Sequence, residues 1–192
     1  ELTLNDLSAD GDIDETDFLH RADIICSLGQ HVLISNYFEY YRLVDYLSRI
    51  TKGKKIGIIM GINALQKVFD EKTYENTRGG ILECFASLFG TNVKLYIYPA
   101  LKRDSQNLFT LNDFETDLPH NLKNLFRYLM DNNKLEDIKD ANTKNLHIIS
   151  DHVLAMIRNS ESGWEKYVPH KVAEAIKERG LFDYQPRQVE IS

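Results

Sequence analysis

Arg78-Gly79-Gly80 is the best phosphate-binding candidate in this chain. Glycines let a backbone approach a ligand closely, a helix start offers N–H donors, and the arginine adds charge. Glu83, one turn further on, is either an acid/base group for that ligand or a solvent-facing charge. Asn36 and Asn63 hold matching positions, each after an apolar run and before a helical pattern. Each is therefore either a plain helix cap or the head of an anion site. Ligands of open α/β sheets bind beyond the carboxyl ends of the strands. That rule adds Ser35 and Tyr37 after one run, Gly61 after a second and Tyr98 after a third. The candidate ligand-binding set is thus Ser35, Asn36, Tyr37, Gly61, Asn63, Arg78, Gly79, Gly80 and Glu83. No catalytic residue emerges, because no P-loop, dinucleotide fingerprint, His-Glu-x-x-His or nucleophile elbow is present.

Metal chemistry has one candidate. Asp6 to Phe18 resembles an EF-hand loop, with Asp6, Ser8, Asp10, Gly11, Ile13, Asp14 and Asp17 at its expected positions. The last of these should be a glutamate, and almost no chain precedes Asp6 to form an entering helix. We therefore expect no tight calcium site, no other metal and no cofactor. Asp14 and Asp17 then serve to cap and charge the helix that follows. His147 and His152 are five apart and out of metal-binding register on a helix. Cys26 and Cys84 are distant from each other and are expected to be buried thiols in a reducing compartment.

The elements that must position these residues follow from hydrophobic spacing. Phe18, Leu19, Ala22, Ile25 and Cys26 predict a helix that Gly29 stops. His31–Ser35 predicts a strand, and Asn36 with Glu39 predicts the cap of a helix carrying Tyr40, Leu43, Val44 and Leu47. Ile56–Met60 is apolar at nearly every position, which predicts a strand covered on both faces and parallel to the first. Asn63 and Gln66 predict the cap of the next helix, and Gly79-Gly80 opens another that runs to Leu88. Val93–Tyr98 alternates, which predicts a half-exposed edge strand. Lys102–Asp117 reads as a long polar loop, a lid or a hairpin. Beyond it the pattern is helical, with stripes at Leu122, Leu125, Phe126 and Leu129, then Val153, Leu154 and Ile157. Ser150 or Asp151 caps the second of these, and a last helix starts at Pro169 and stops at Gly180.

The expected fold is thus α/β: a short parallel sheet of about three strands, flanking helices and a helical C-terminal half. The 192 residues suit one domain. Its expected parts are an N-terminal segment and helix (1–30), a core (31–100), a loop (101–118), a helical part (119–184) and a tail (185–192). The net charge of −6 repels phosphate backbones, so no nucleic-acid partner is expected. No apolar run is long enough to span a membrane and no signal peptide is visible, so the expected setting is cytoplasmic with no membrane partner.

The stretch from Ile149 to Phe182 resembles the end of bacterial nicotinate-nucleotide adenylyltransferases. The matching residues are Ile149-Ser150, Arg158, Val168-Pro169, Val172, Ile176 and Gly180-Leu181-Phe182. Leu33-Ile34-Ser35-Asn36-Tyr37, Glu39-Tyr40-Tyr41-Arg42-Leu43 and Gly79-Gly80-Ile81-Leu82-Glu83 extend the likeness to the C-terminal half of larger bacterial proteins bearing that family name. The resemblance implies a Rossmann-like nucleotidyltransferase fold, a nucleotide or similar small anionic ligand, and an N-terminal partner domain in a longer protein. The family's G-x-F-x-P-x-H-x-x-H segment has no counterpart here, and Asp151 and His152 stand where its phosphate-binding hydroxyls belong. Three readings follow. The first is a nucleotide- or anion-binding domain without the ATP-activating motif. The second is a non-enzymatic interaction or regulatory domain docked on the N-terminal partner, and the third a calcium-binding module built on residues 6–17.

Overall fold

A computed structural model describes residues 1–3, 15–90, 92–102 and 105–186. In chain order these form β1 (Leu2–Thr3), α1 (Glu15–Ser27), β2 (Ile34–Ser35), α2 (Tyr40–Ile50), β3 (Ile56–Gly61), α3 (Ile62–Val68) and α4 (Gly80–Leu88). There follow β4 (Val93–Tyr98), β5 (Ala100–Leu101), β6 (Leu108–Phe109), α5 (Leu111–Asp117), α6 (His120–Asp131), β7 (Leu135–Asp137), α7 (Ser150–Arg158) and α8 (His170–Arg179). The protein is mixed α/β, with a parallel sheet in the order β3-β4-β7. The chain divides into two compact units, Glu1–Tyr37 with Lys144–Ser192, and Phe38–Thr143. The sequence expectation of a single domain with boundaries at 30/31, 100/101, 118/119 and 184/185 does not include the first unit, which is made from both ends of the chain.

The unit Phe38–Thr143 holds the sheet. On β4, Val93, Leu95 and Ile97 are buried while Lys94, Tyr96 and Tyr98 are half-buried. The register pairs Ile58 with Leu95 and Leu95 with Leu135 on the core face, and Ile59 with Tyr96 and Tyr96 with Glu136 on the other. Helices cover the core face, where Phe69 packs edge-on to Phe85, Phe114 and Phe126. The opposite face is open: Ile59 is 72% exposed, and Lys94 pairs with Glu136.

Two strand expectations are corrected here. Ile56–Gly61 is an edge strand with one open face, although its continuous apolar run predicted cover on both. Val93–Tyr98 is the central strand, although its alternation predicted an edge. The second reversal has two causes. The third strand, Leu135–Asp137, is three residues long, two of them acidic, and gives almost no periodic signal. A one-sided sheet also makes a central strand alternate.

The unit of the two chain ends has its own core of Ile24, Val153, Ile157, Trp164, Val172, Ala173, Ile176 and Leu181. Here the predicted strand His31–Ser35 shrinks to β2, which pairs in parallel with β1 and takes no part in the three-stranded sheet. The expected parallel pairing of the first two predicted strands is therefore overturned. Ile34 is exposed, so the apolar run there does not mark a buried strand. α1 buries Phe18, Ala22 and Ile24 but exposes Leu19 and Cys26, so its stripe is rotated from the expected one. Cys84 is buried as expected. Pro169 starts α8 and Gly180 stops it at φ 62°, as the sequence predicts.

Candidate functional site

The sheet's carboxyl end carries a cleft of about 680 Å³ lined by Asn63, Gln66, Ala100, Leu101, Lys102, Phe109, Asp113, Thr116 and Asp117. Three elements build it. α3 begins directly after β3 and presents Asn63 and Gln66, three apart and therefore on one face. The hairpin after β4 pairs Ala100 with Phe109 and Leu101 with Leu108, and the Lys102 amide donates to the Asn107 carbonyl at 2.9 Å. α5 brings Asp113, Thr116 and Asp117, spaced three and four apart, to the same wall.

A hydrogen-bond chain fixes α5. Asp113 Oδ2 accepts from the Thr110 amide at 3.0 Å and the Thr110 hydroxyl at 3.1 Å, a capping box. Asp113 Oδ1 accepts from the Lys102 ammonium at 2.6 Å. Behind the helix start, Asp137 Oδ1 on β7 accepts from the Leu111 amide at 3.2 Å. The Lys102 ammonium and, after it, the Thr110 amide hold the Asp113 carboxyl below the usual carboxylate range. Burial pushes the Asp137 carboxyl up, against the pull of the Leu111 N–H, and the nearby Asp113 charge adds to the rise. Two carboxylates within one network are thus driven apart by their surroundings, a pattern common at functional sites.

Of the residues singled out from sequence, Asn63 lines this cleft, while Gly61 ends β3 and caps α3 without lining it. Asn63 lies inside the first turn of α3, whose cap is Gly61, so it is not the cap its spacing suggested. Arg78, Gly79 and Gly80 do open α4, as expected, but they do not line the cleft. The Gly79 amide already donates to the Glu83 carboxylate at 2.7 Å. Ser35, Asn36 and Tyr37 belong to the other unit. There Ser35 Oγ donates to the Glu1 carboxylate and accepts from the Tyr37 amide at 3.2 Å. Asn36 caps no helix, because α2 starts at Tyr40 with Glu39 at its cap. Tyr98, at the end of β4, donates its hydroxyl to the Asn142 carbonyl at 3.0 Å.

Sequence reasoning missed Gln66 as a site residue, together with Lys102, Phe109, Asp113, Thr116 and Asp117. All but Gln66 fall in the stretch read as a polar loop. A signal was present: Thr110 and Asp113 have capping-box spacing, and Leu111, Phe114 and Leu118 have helical spacing. The hairpin alternative for this stretch is observed at Ala100–Leu101 and Leu108–Phe109.

The other unit carries an apolar groove of about 450 Å³, with Ile24, Ile157, Val172 and Ile176 in its walls and Arg21, Ser150, Asp151 and Tyr167 as its polar members. The Arg21 guanidinium is engaged by Asp17 at 2.7 Å. Among the described residues no group of three or more His, Cys, Asp and Glu is placed to hold a metal ion. Asp6, Ser8, Asp10, Gly11, Ile13 and Asp14 of the EF-hand-like stretch lie outside the described residues. Among the described residues no helix is long and apolar enough to cross a membrane. No family model, curated protein or solved structure matches the chain.

Proposed function

We propose that this chain is a small-molecule-binding α/β domain whose ligand, a nucleotide or similar small anion, seats at the carboxyl ends of β3 and β4. The carrying observation is the cleft itself, lined beyond the parallel strands by two side-chain amides, a hydroxyl, an aromatic ring, one ammonium and two carboxylates. Asn63, Gln66 and Thr116 suit the polar edges of a heterocycle or sugar, Phe109 suits its flat face, and Lys102 suits one anionic group. The domain works in the cytoplasm, without nucleic acid. These 192 residues by themselves, which do not include the ATP-activating segment of the adenylyltransferases they resemble, release no pyrophosphate from nicotinate mononucleotide and ATP.

Ligand-dependent thermal shift with adenosine, adenosine 5′-monophosphate and nicotinate mononucleotide tests this reading, because a ligand that binds only the native state raises its melting temperature. Wild type and Arg78→Ala are expected to shift equally, and Asn63→Ala and Gln66→Ala less. If Asn63→Ala responds like wild type while Arg78→Ala does not, the ligand lies at the start of α4 instead. No shift with any probe sinks the reading.

One observation favours the interaction-domain alternative as a second reading. Parallel sheets are normally covered on both faces, yet Ile59 is 72% exposed on the open one. An N-terminal partner domain docking there would lose affinity on Ile59→Lys, measurable by co-purification of the two as separate chains.

A further inference from the structure

We propose that the cleft takes a phosphate monoester by exchange, the phosphate replacing Asp113 as the partner of the Lys102 ammonium. This rests on the reading of the cleft as the ligand site and names the class of ligand it selects. The two oxygens of Asp113 have separate duties. Oδ2 accepts from the Thr110 amide and hydroxyl and caps α5, while Oδ1 accepts from Lys102 alone among the described residues. Lys102 can therefore leave Oδ1 without undoing the start of the helix. The ammonium and the carboxylate are 41% and 30% exposed, so a ligand reaches the pair from solvent. The backbone of Lys102 is held by its bond to Asn107, so the side chain is anchored at the cleft wall and its flexible stem lets the ammonium turn from one partner to another.

Charge sets the selectivity. Lys102 is the one cation among the described lining residues, against Asp113 and Asp117. A monoester concentrates about −1.5 to −2 of charge in one group, so it draws on Lys102 more strongly than a carboxylate does while meeting repulsion from the released Asp113. A triphosphate carries further charges past Asp117, with no second described cation to meet them. A neutral nucleoside gains nothing from opening the ion pair and binds without disturbing it. Because Lys102 and Thr110 hold the Asp113 carboxyl below its usual range, the exchange is a competition between two anions at neutral pH, with no help from protonation.

The test uses calorimetric titrations of the full chain with inorganic phosphate, adenosine, adenosine 5′-monophosphate and ATP, on wild type, Asp113→Asn and Lys102→Met. Asparagine retains an acceptor for the Thr110 amide, and Lys102→Met leaves the capping box intact, so circular dichroism should match wild type for both. Asp113→Asn is expected to bind phosphate and the monophosphate about twofold to fivefold more tightly, the scale of one exposed ion pair. Lys102→Met should lose phosphate binding, adenosine affinity should be equal in all three proteins, and wild type should bind ATP more weakly than the monophosphate. Phosphate affinity unchanged in both variants, or ATP bound more tightly than the monophosphate by wild type, overturns the exchange. If adenosine binding then persists and falls on Asn63→Ala, the cleft reading survives that failure. If no probe binds any of the proteins, both fall.

Discussion

The Glu83 carboxylate accepts a 2.7 Å hydrogen bond from the Gly79 amide, so α4 carries its own anion at its start. An external phosphate at Arg78-Gly79-Gly80 would have to displace it. Glu83→Ala is expected to lower stability by about 0.5–1 kcal/mol, in the range of a lost cap. Gly79→Ala should cost more, because a Cβ there would lie 2.6 Å from the Glu83 Cβ. Gly80→Ala should cost about 1–2 kcal/mol, since Gly80 holds φ +58°. Urea unfolding checks all three, and a Gly79→Ala protein as stable as wild type would show that the turn does not pack this way.

The Asp113 and Asp137 carboxyls give opposite pH dependences. Asp137 is raised, chiefly by burial, so the native state holds its proton more tightly than the unfolded chain. Its contribution to stability is full below the unfolded value and is lost as pH rises through the folded one. Asp113 is lowered, chiefly by Lys102, so its contribution is present above the unfolded value and is lost as pH falls through the folded one. Urea unfolding between pH 3 and 7 reads both. Asp137→Asn should gain on wild type as pH rises from about 4, while Asp113→Asn should fall behind over the same interval. Parallel curves for wild type and Asp137→Asn would remove the burial argument.

The sequence was most legible where one residue type can play only one part. Pro169 and Gly180 bounded α8, Gly79-Gly80 opened α4, and the period-two pattern of Val93–Tyr98 named both faces of β4. It was least legible where pairing decides. Leu135-Glu136-Asp137 becomes a strand because β4 offers it a ladder, and its acids lie at positions that local propensity disfavours. That missing strand turned the sheet inside out in the reading from sequence. The site shared this fate. Asn63 was found because it follows a strong strand, whereas Lys102, Asp113 and Asp117 stand on a two-residue-strand hairpin with no periodic signal and on a short helix whose capping-box spacing is set among polar residues.

The open sheet face sets a contrast between two apolar strand residues. Ile59 is 72% exposed and Leu95 is fully buried. Ile59→Thr keeps the β-branched shape and removes little buried surface, so stability should change by no more than about 0.5 kcal/mol. Leu95→Ala opens a cavity between helices and sheet and should cost about 2–5 kcal/mol. Chemical denaturation gives both values. A large loss from Ile59→Thr would mean that the exposed face is covered in solution.

Trp164 is the chain's one tryptophan and is 1% exposed in the core of the unit built from the two chain ends. Its ring meets Tyr184 edge-on at 5.8 Å and lies 5.6 Å from the Lys177 ammonium, which is tied to Glu165 at 2.6 Å. Tryptophan emission therefore reports this core. Ile176, equally buried, belongs to the same cluster, and Ile176→Ala should lower the emission-detected stability by about 2–5 kcal/mol. Gly163 enters the tryptophan turn at φ +94°, where a side chain is strained. Gly163→Ala should therefore cost about 1–2 kcal/mol although no atom lies near the added Cβ. Lys177→Met should cost less than either, because it loses an exposed ion pair and keeps the aliphatic stem over the ring. The expected order of loss is Ile176→Ala, Gly163→Ala, Lys177→Met, read from the urea midpoint of the emission shift. A midpoint unmoved by Ile176→Ala would mean that Trp164 is not seated in this core.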